Sequence, residues 1–170
     1  MASGRKNQLT KQIGEYLVAA ELCRRGLIAT TFTGNVPDFD VIATNKSFKT
    51  VPIQVTTIWG KGAWQFDGSK FLDIKFEVNG IQRIIGKKNL SNPDLICIFV
   101  RLISQGNDGF FIFRLIDLQE IIFEHYSQYL VKHNGKRPRN ESSTHAGVNP
   151  ILLERFRDNW GIIVNQKLIT

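Results

Sequence analysis

The chain has 170 residues, 42% hydrophobic and 22% charged, with a formal net charge of +7 at neutral pH. That length suits one domain with a core of its own, and the composition excludes a wholly disordered chain. An excess of lysine and arginine (22) over aspartate and glutamate (15) points to a polyanionic partner, because basic side chains gain affinity by releasing phosphate counterions.

Residues 1–9 read as a flexible basic lead-in to a single domain spanning 10–170. They hold no apolar segment of the kind that targets a chain for secretion, and the longest apolar runs are strand-sized, so a cytoplasmic protein without membrane contact is expected. Thr10 is a suitable N-cap for a helix running to about Arg25, with Gly26 just past its last turn. Ile13, Tyr16, Leu17, Ala20 and Cys23 share one face of that helix and form its predicted core stripe. Glu15 lies off the stripe among Val18, Ala19 and Leu22, which places its carboxylate either at the rim of the domain or in a site. Gly14 beside it permits close backbone approach, at a helix-propensity cost of about 1 kcal/mol.

Leu27 to Phe32 is β-branched and strand-like, Thr33-Gly34-Asn35 is a turn signal, and Pro37 opens the next element. Phe39 to Ala43 and Val51 to Ile58 read as two strands joined by the polar turn Asn45 to Lys49, an antiparallel hairpin. Residues 59–90 are broken by Gly60, Gly62 and Gly68. Within them Leu72, Ile74 and Phe76 alternate with Asp73, Lys75 and Glu77, as in a half-exposed strand. Leu95 to Leu102 is a near-continuous apolar run, the mark of a strand covered on both faces, and Phe110 to Ile116 is a further strand. Asp117 with Glu120 gives a capping-box-like start to a helix ending near Lys132, closed by Gly135. Residues 134–149 read as a polar, basic loop. Asn149-Pro150 then opens a final helix reaching about Asn159, with Trp160 packing back on the domain. Cys23 and Cys97 follow no metal spacing and lie among apolar residues, so both are expected as buried free thiols. The element order describes one α/β domain of the α+β kind, with a mixed sheet.

The chemistry concentrates in Pro37–Thr57. Side chains alternate along a strand, so Asp38 and Asp40 share a face, as do Gln54 and Thr56, and a hairpin can make those two faces one. Adding Glu15 gives an all-oxygen set suited to Mg²⁺ or Mn²⁺ rather than zinc. An ion held there polarises a phosphodiester and lowers the pKa of an attacking water.

The segments G14-E15-Y16-L17-V18-A19-A20-E21-L22, P37-D38-F39-D40-V41-I42 and I53-Q54-V55-T56-T57 resemble the PD-(D/E)XK nuclease superfamily, and within it the Holliday-junction-resolvase and Mrr-like branches. The resemblance covers roughly residues 10–60. It implies a restriction-endonuclease-like core of four or five strands flanked by helices. It also implies a nuclease-like, nucleic-acid-binding protein acting on DNA, a candidate Mg²⁺-dependent endonuclease. By position Glu15 matches the helix glutamate, Asp40 the metal-binding aspartate, and Gln54 the Glu/Gln position of the third strand. Thr56 falls where the family has its catalytic lysine. A hydroxyl cannot supply that positive charge, and losing comparable electrostatic stabilisation costs on the order of 10²–10³ in rate. Three explanations compete. The lysine has migrated, with Lys61, Lys70, Lys75 or Lys49 reaching the site; the site binds metal and nucleic acid without cleaving; or the fold serves another purpose, such as a protein-interaction module. A rival frame takes Asp73-x-Lys75 as the acidic-lysine pair, but it lies far past the hairpin. Resolvase-like relatives are dimers, which makes a homodimer a candidate assembly.

Other candidates carry ordinary alternatives. Asp38 is either a second ligand or a turn residue. Trp59 and Trp64 either stack on bases or cover the sheet edge. Lys61, Lys136, Arg137 and Arg139 are candidate nucleic-acid contacts, Lys136–Arg139 being the densest basic cluster, with Lys87 and Lys88 behind them. His125, His133 and His145 lack metal-ligand spacing and read as surface residues. No phosphate-cradling glycine loop is present.

Overall fold

A computed structural model describes residues 2–32 and 38–164, so the turn expected at 33–35 and Pro37 lie outside the described residues. In chain order the elements are α1 (Ala2–Arg24), β1 (Ile28–Thr31), β2 (Val41–Thr44), β3 (Thr50–Trp59), β4 (Trp64–Asp67), β5 (Leu72–Phe76), β6 (Gln82–Lys87), β7 (Ile96–Leu102), β8 (Gly109–Arg114), α2 (Leu115–Lys132), β9 (His145–Val148) and α3 (Gly161–Val164). Short 3₁₀ turns interrupt the later loops, among them Pro150–Phe156.

Five strands make the central sheet in the order β1-β2-β3-β7-β8. The β3–β7 pair is parallel and the other three are antiparallel, so the sheet is mixed as expected. Asn45 makes the β2–β3 turn by accepting from the backbone N–H groups of Ser47 and Lys49 at 2.9 and 3.0 Å, a side-chain mimic of a backbone turn. The apolar run at β7 lies in mid-sheet, with only Arg101 short of full burial. Ile53, Val55, Ile96, Ile98 and Val100 face α1 and Trp160, in one of two apolar layers. Cys97, Phe99, Phe111 and Phe113 belong to the other layer, under α2. Two small antiparallel ribbons, β5–β6 and β4–β9, complete that second layer.

Several boundaries differ from the sequence expectations. Helix α1 begins at Ala2, eight residues before Thr10, and continues through the stretch read as a lead-in. It is also rotated. Gly14, Val18 and Leu22 are buried, whereas Ile13 and Tyr16 from the predicted core stripe are 37% and 55% exposed. Both faces of α1 are apolar enough to serve as core, and packing made the choice. A β-carbon on Gly14 would lie 1.8 Å from Thr57 Oγ1, so only the glycine face lets the helix settle on β3. Cys23 turns outward with the rejected stripe, against the expectation of a buried thiol. Gly26, at φ +83°, ends α1 in the left-handed conformation that its position demands.

Asp117 is not the N-cap of α2 but its third residue. Its Oδ2 accepts from the Arg114 backbone N–H at 2.9 Å, the reciprocal half of a capping box. The segment read as a loop after residue 134 contains β9, which pairs with β4. The final helix is a 3₁₀ turn capped by Asn149, whose Oδ1 accepts from the Leu152 N–H at 3.2 Å.

Burial pushes the Cys97 thiol up to about 12, and thiolate is the reactive form. Alkylation of the native protein is therefore expected to modify Cys23 alone, with Cys97 reacting only after denaturation. Mass spectrometry of tryptic peptides reads this directly, and modification of both cysteines under native conditions would contradict the packing.

Candidate active site

Strand β2 pairs with β3 only as far as Val41 opposite Ile53, and contributes no partner beyond that point. The strands diverge at Asp40. Its backbone N–H donates to the Ile53 carbonyl at 2.9 Å, and its carboxylate Oδ2 accepts from the Val55 N–H at 2.9 Å. One residue thus closes the hairpin ladder and caps the edge amide that β2 no longer reaches. Its other oxygen, Oδ1, lies 3.0 Å from Lys11 Nζ on α1.

Lys11 holds a second carboxylate. Glu15, one helical turn on, places Oε1 3.6 Å from the same ammonium. The two acidic side chains are only 13% and 15% exposed, while that of Lys11 is 55% exposed. Burial and the neighbouring Asp40 charge raise the Glu15 pKa above its usual range, and Lys11 offsets this only in part. Hydrogen bonding to Asp40 raises the Lys11 pKa in turn. Two carboxylates at this density draw positive charge.

Beside them runs an open cleft of about 380 Å³ lined by Lys11, Asp40, Gln54 and Thr56, among others. Gln54 and Thr56 alternate with Ile53 and Val55, so their side chains leave β3 on the face away from α1, and the Gln54–Thr57 stretch of β3 forms one wall of the cleft opposite Asn7, Thr10 and Lys11. The structure therefore brings Asp40, Gln54 and Thr56 together, with Glu15 joined to them through Lys11.

This donor set can be weighed against a divalent cation. Among the described residues no three His, Cys, Asp or Glu side chains form a group able to cage a metal. The donors beside Lys11 are oxygens, without the imidazole and thiolate ligands that zinc prefers. Of the two carboxylates Asp40 lines the cleft and Glu15 lies behind it on Lys11, with Gln54 also at the cleft; carboxylate and amide oxygens are the donor type of Mg²⁺ or Mn²⁺, ions that keep several waters and take one or two protein carboxylates.

Other predicted residues are placed elsewhere. Lys49, Lys61, Lys70 and Lys75 do not line the cleft; among the described residues its lysine is Lys11, which was not among the sequence candidates. The signal was available, because Lys11 continues the Glu15, Val18, Leu22 stripe at helical spacing. Asp38 is exposed, with φ +76°, and does not line the cleft, which fits the turn role. Trp64 is 1% exposed, packs on Phe99 and Phe111, and donates from Nε1 to the Thr56 carbonyl at 3.2 Å, so it is core and not a base-stacking platform. Trp59 remains 51% exposed at the end of β3, close in sequence to the exposed Lys61.

Arg137 stacks over Tyr126 and Tyr129 and donates to the His145 carbonyl at 2.7 Å, a structural engagement. Lys136 and Arg139 are exposed on either side of it. Lys87 is paired with Glu120 at 2.6 Å and lies over Phe123, while Lys88 is exposed. His125 and His133 are half-buried and His145 is exposed, its ring meeting Gln65.

No protein-family model matches this chain, and no curated protein does. Among solved structures, the bacterial homing endonuclease I-Ssp6803I superposes with a TM-score of 0.50 at 11% identity, covering 94% of this chain and 93% of that one. At that identity the similarity is one of fold. The shared α/β architecture runs along nearly the whole chain.

Proposed function

We propose that this chain binds DNA and hydrolyses its phosphodiester bonds in a Mg²⁺- or Mn²⁺-dependent endonuclease reaction, using a PD-(D/E)XK-like site. The observation that carries the reading is the pairing of Asp40 with Glu15 around one ammonium, at the point where β2 leaves β3 beside Gln54. In this reading Asp40, Gln54 and Glu15 supply oxygen ligands, and Thr56 occupies the position of the family lysine. A bound Mg²⁺ supplies polarisation of the phosphodiester and acidification of the attacking water. Asp40 is held rigidly by the Val55 N–H, so its carboxylate is pre-oriented. The net charge of +7 and the exposed Lys61, Lys136 and Arg139 suit contacts to backbone phosphates. A homodimer belongs to the same reading. The outward stripe of α1, with exposed Leu9, Ile13 and Tyr16, offers a face for a second copy.

A second reading keeps the DNA-binding and drops the chemistry. Thr56 favours it, since no lysine leaves β3 at that point. Incubation with duplex, branched and single-stranded DNA in Mg²⁺, Mn²⁺ and Ca²⁺ separates the two. Nicking or cutting with Mg²⁺ or Mn²⁺ and not with Ca²⁺ is the expected result. Salt-dependent DNA binding with every substrate left intact in both metals would reject the endonuclease and leave the binding module.

A further inference from the structure

We infer that Lys11 of α1 supplies the positive charge that Thr56 cannot, acting on the scissile phosphate from the helix instead of from β3. The inference rests on the phosphodiesterase reading above. Three observations carry it. Among the described residues Lys11 is the lysine that lines the cleft, its ammonium 3.0 Å from Asp40 and 3.6 Å from Glu15. Thr56 and Lys11 both line that cleft, one from β3 and the other from α1, so the helix brings a cation to the stretch of strand that lacks one. The Lys11 side chain is 55% exposed while both carboxylates are largely buried, so it bridges the acidic floor and the open side from which a substrate enters.

An ammonium on four flexible carbons can leave Asp40 Oδ1 and donate to a non-bridging phosphate oxygen without moving the helix. In the hydrolysis, a water oxygen bonds to phosphorus and the ester P–O bond breaks. One proton of that water passes to bulk solvent as it attacks, and the departing oxygen takes one from solvent, giving an alcohol and a phosphate monoester. Lys11 keeps its proton throughout; its part is to neutralise charge building on the equatorial oxygens.

The alternative is that Lys11 only fills the place of a cation between two carboxylates. The two roles predict opposite consequences for cleavage when the charge is removed, which Lys11→Met does at similar side-chain volume. Cation affinity is read by calorimetric titration of Mn²⁺ without DNA, and is expected to rise about tenfold, because a like charge leaves the site. Single-turnover cleavage is expected to fall by about 10² or more, with DNA binding in Ca²⁺ changed only a few-fold. Lys11→Arg keeps the charge and is expected to retain more cleavage than Lys11→Met. Both roles raise Mn²⁺ affinity when the charge is removed, so cleavage decides between them: cleavage by Lys11→Met within threefold of the unaltered protein, or above it, would overturn the inference. If the unaltered protein itself cuts nothing, it is the endonuclease reading that has failed, a result distinct from a Lys11→Met variant that still cuts.

Discussion

Asparagine at position 40 is expected to lower cleavage by about 10³ or more while leaving the fold in place. The two carboxylate oxygens of Asp40 have separable duties. Oδ2 accepts from the Val55 N–H, and an asparagine carbonyl can accept the same bond. Oδ1 faces the Lys11 ammonium, where the asparagine NH₂ would set donor against donor and remove the charge. Stability should therefore fall by only about 1 kcal/mol, roughly 2–4 °C in melting temperature for a chain of this size. Alanine differs, because it also leaves the Val55 N–H without its acceptor, a loss of about 1–3 kcal/mol for a buried donor. Plasmid nicking and thermal melting on the two variants make the comparison. Cleavage by Asp40→Asn within tenfold of the unaltered protein would remove Asp40 from the chemistry.

Gly14→Ala should destabilise the protein by about 2–3 kcal/mol, the scale of core overpacking, although helix propensity alone favours alanine by about 1 kcal/mol. The added carbon would lie 1.8 Å from Thr57 Oγ1, 2.9 Å from its Cβ and 3.0 Å from its Cγ2. Rotating Thr57 about χ1 can swing Oγ1 away, but its Cβ does not move and stays 2.9 Å from the added carbon, so the overlap is only partly relieved. Helix α1 must lift, and Lys11 and Glu15 lift with it. A melting temperature lower by roughly 5–10 °C is expected. Thr57→Ala removes both branches along with a hydroxyl that is buried without a partner. The double variant should recover most of the loss, a coupling that a double-mutant cycle measures. A rise in melting temperature for Gly14→Ala would mean that the helix does not sit where the structure places it.

The sheet was legible where composition allowed one solution. The run at β7 is apolar throughout, and the Asn45 turn between two β-branched segments admits little but a hairpin. The rotation of α1 was not legible. Its two faces carry similar apolar content, and the discriminating fact, a glycine opposite a threonine more than forty residues away, is a tertiary one. The site followed the same division. Asp40 and Gln54 could be paired from the hairpin alone, and Glu15 could be suspected from its off-stripe position. Lys11 depended on knowing which face of the helix turned inward, and the candidate lysines near Thr56 in sequence, Lys49 to Lys75, all lie downstream of α1. Strand β9 was missed because His145–Val148 is short, contains a glycine, and pairs with a partner some eighty residues earlier.

The hydrogen bond from Val55 to Asp40 makes one backbone proton an internal gauge of the site. Amide exchange at Val55 is governed by whether the Asp40 carboxylate stays seated, because β2 offers that strand edge no other acceptor. Its protection should fall when Asp40 is replaced by alanine and persist with asparagine. Divalent cation that engages Asp40 should shift the Val55 amide resonance before any DNA is added. Occupancy of the carboxylate pair could then be followed in solution by the signal of a residue that is itself chemically inert.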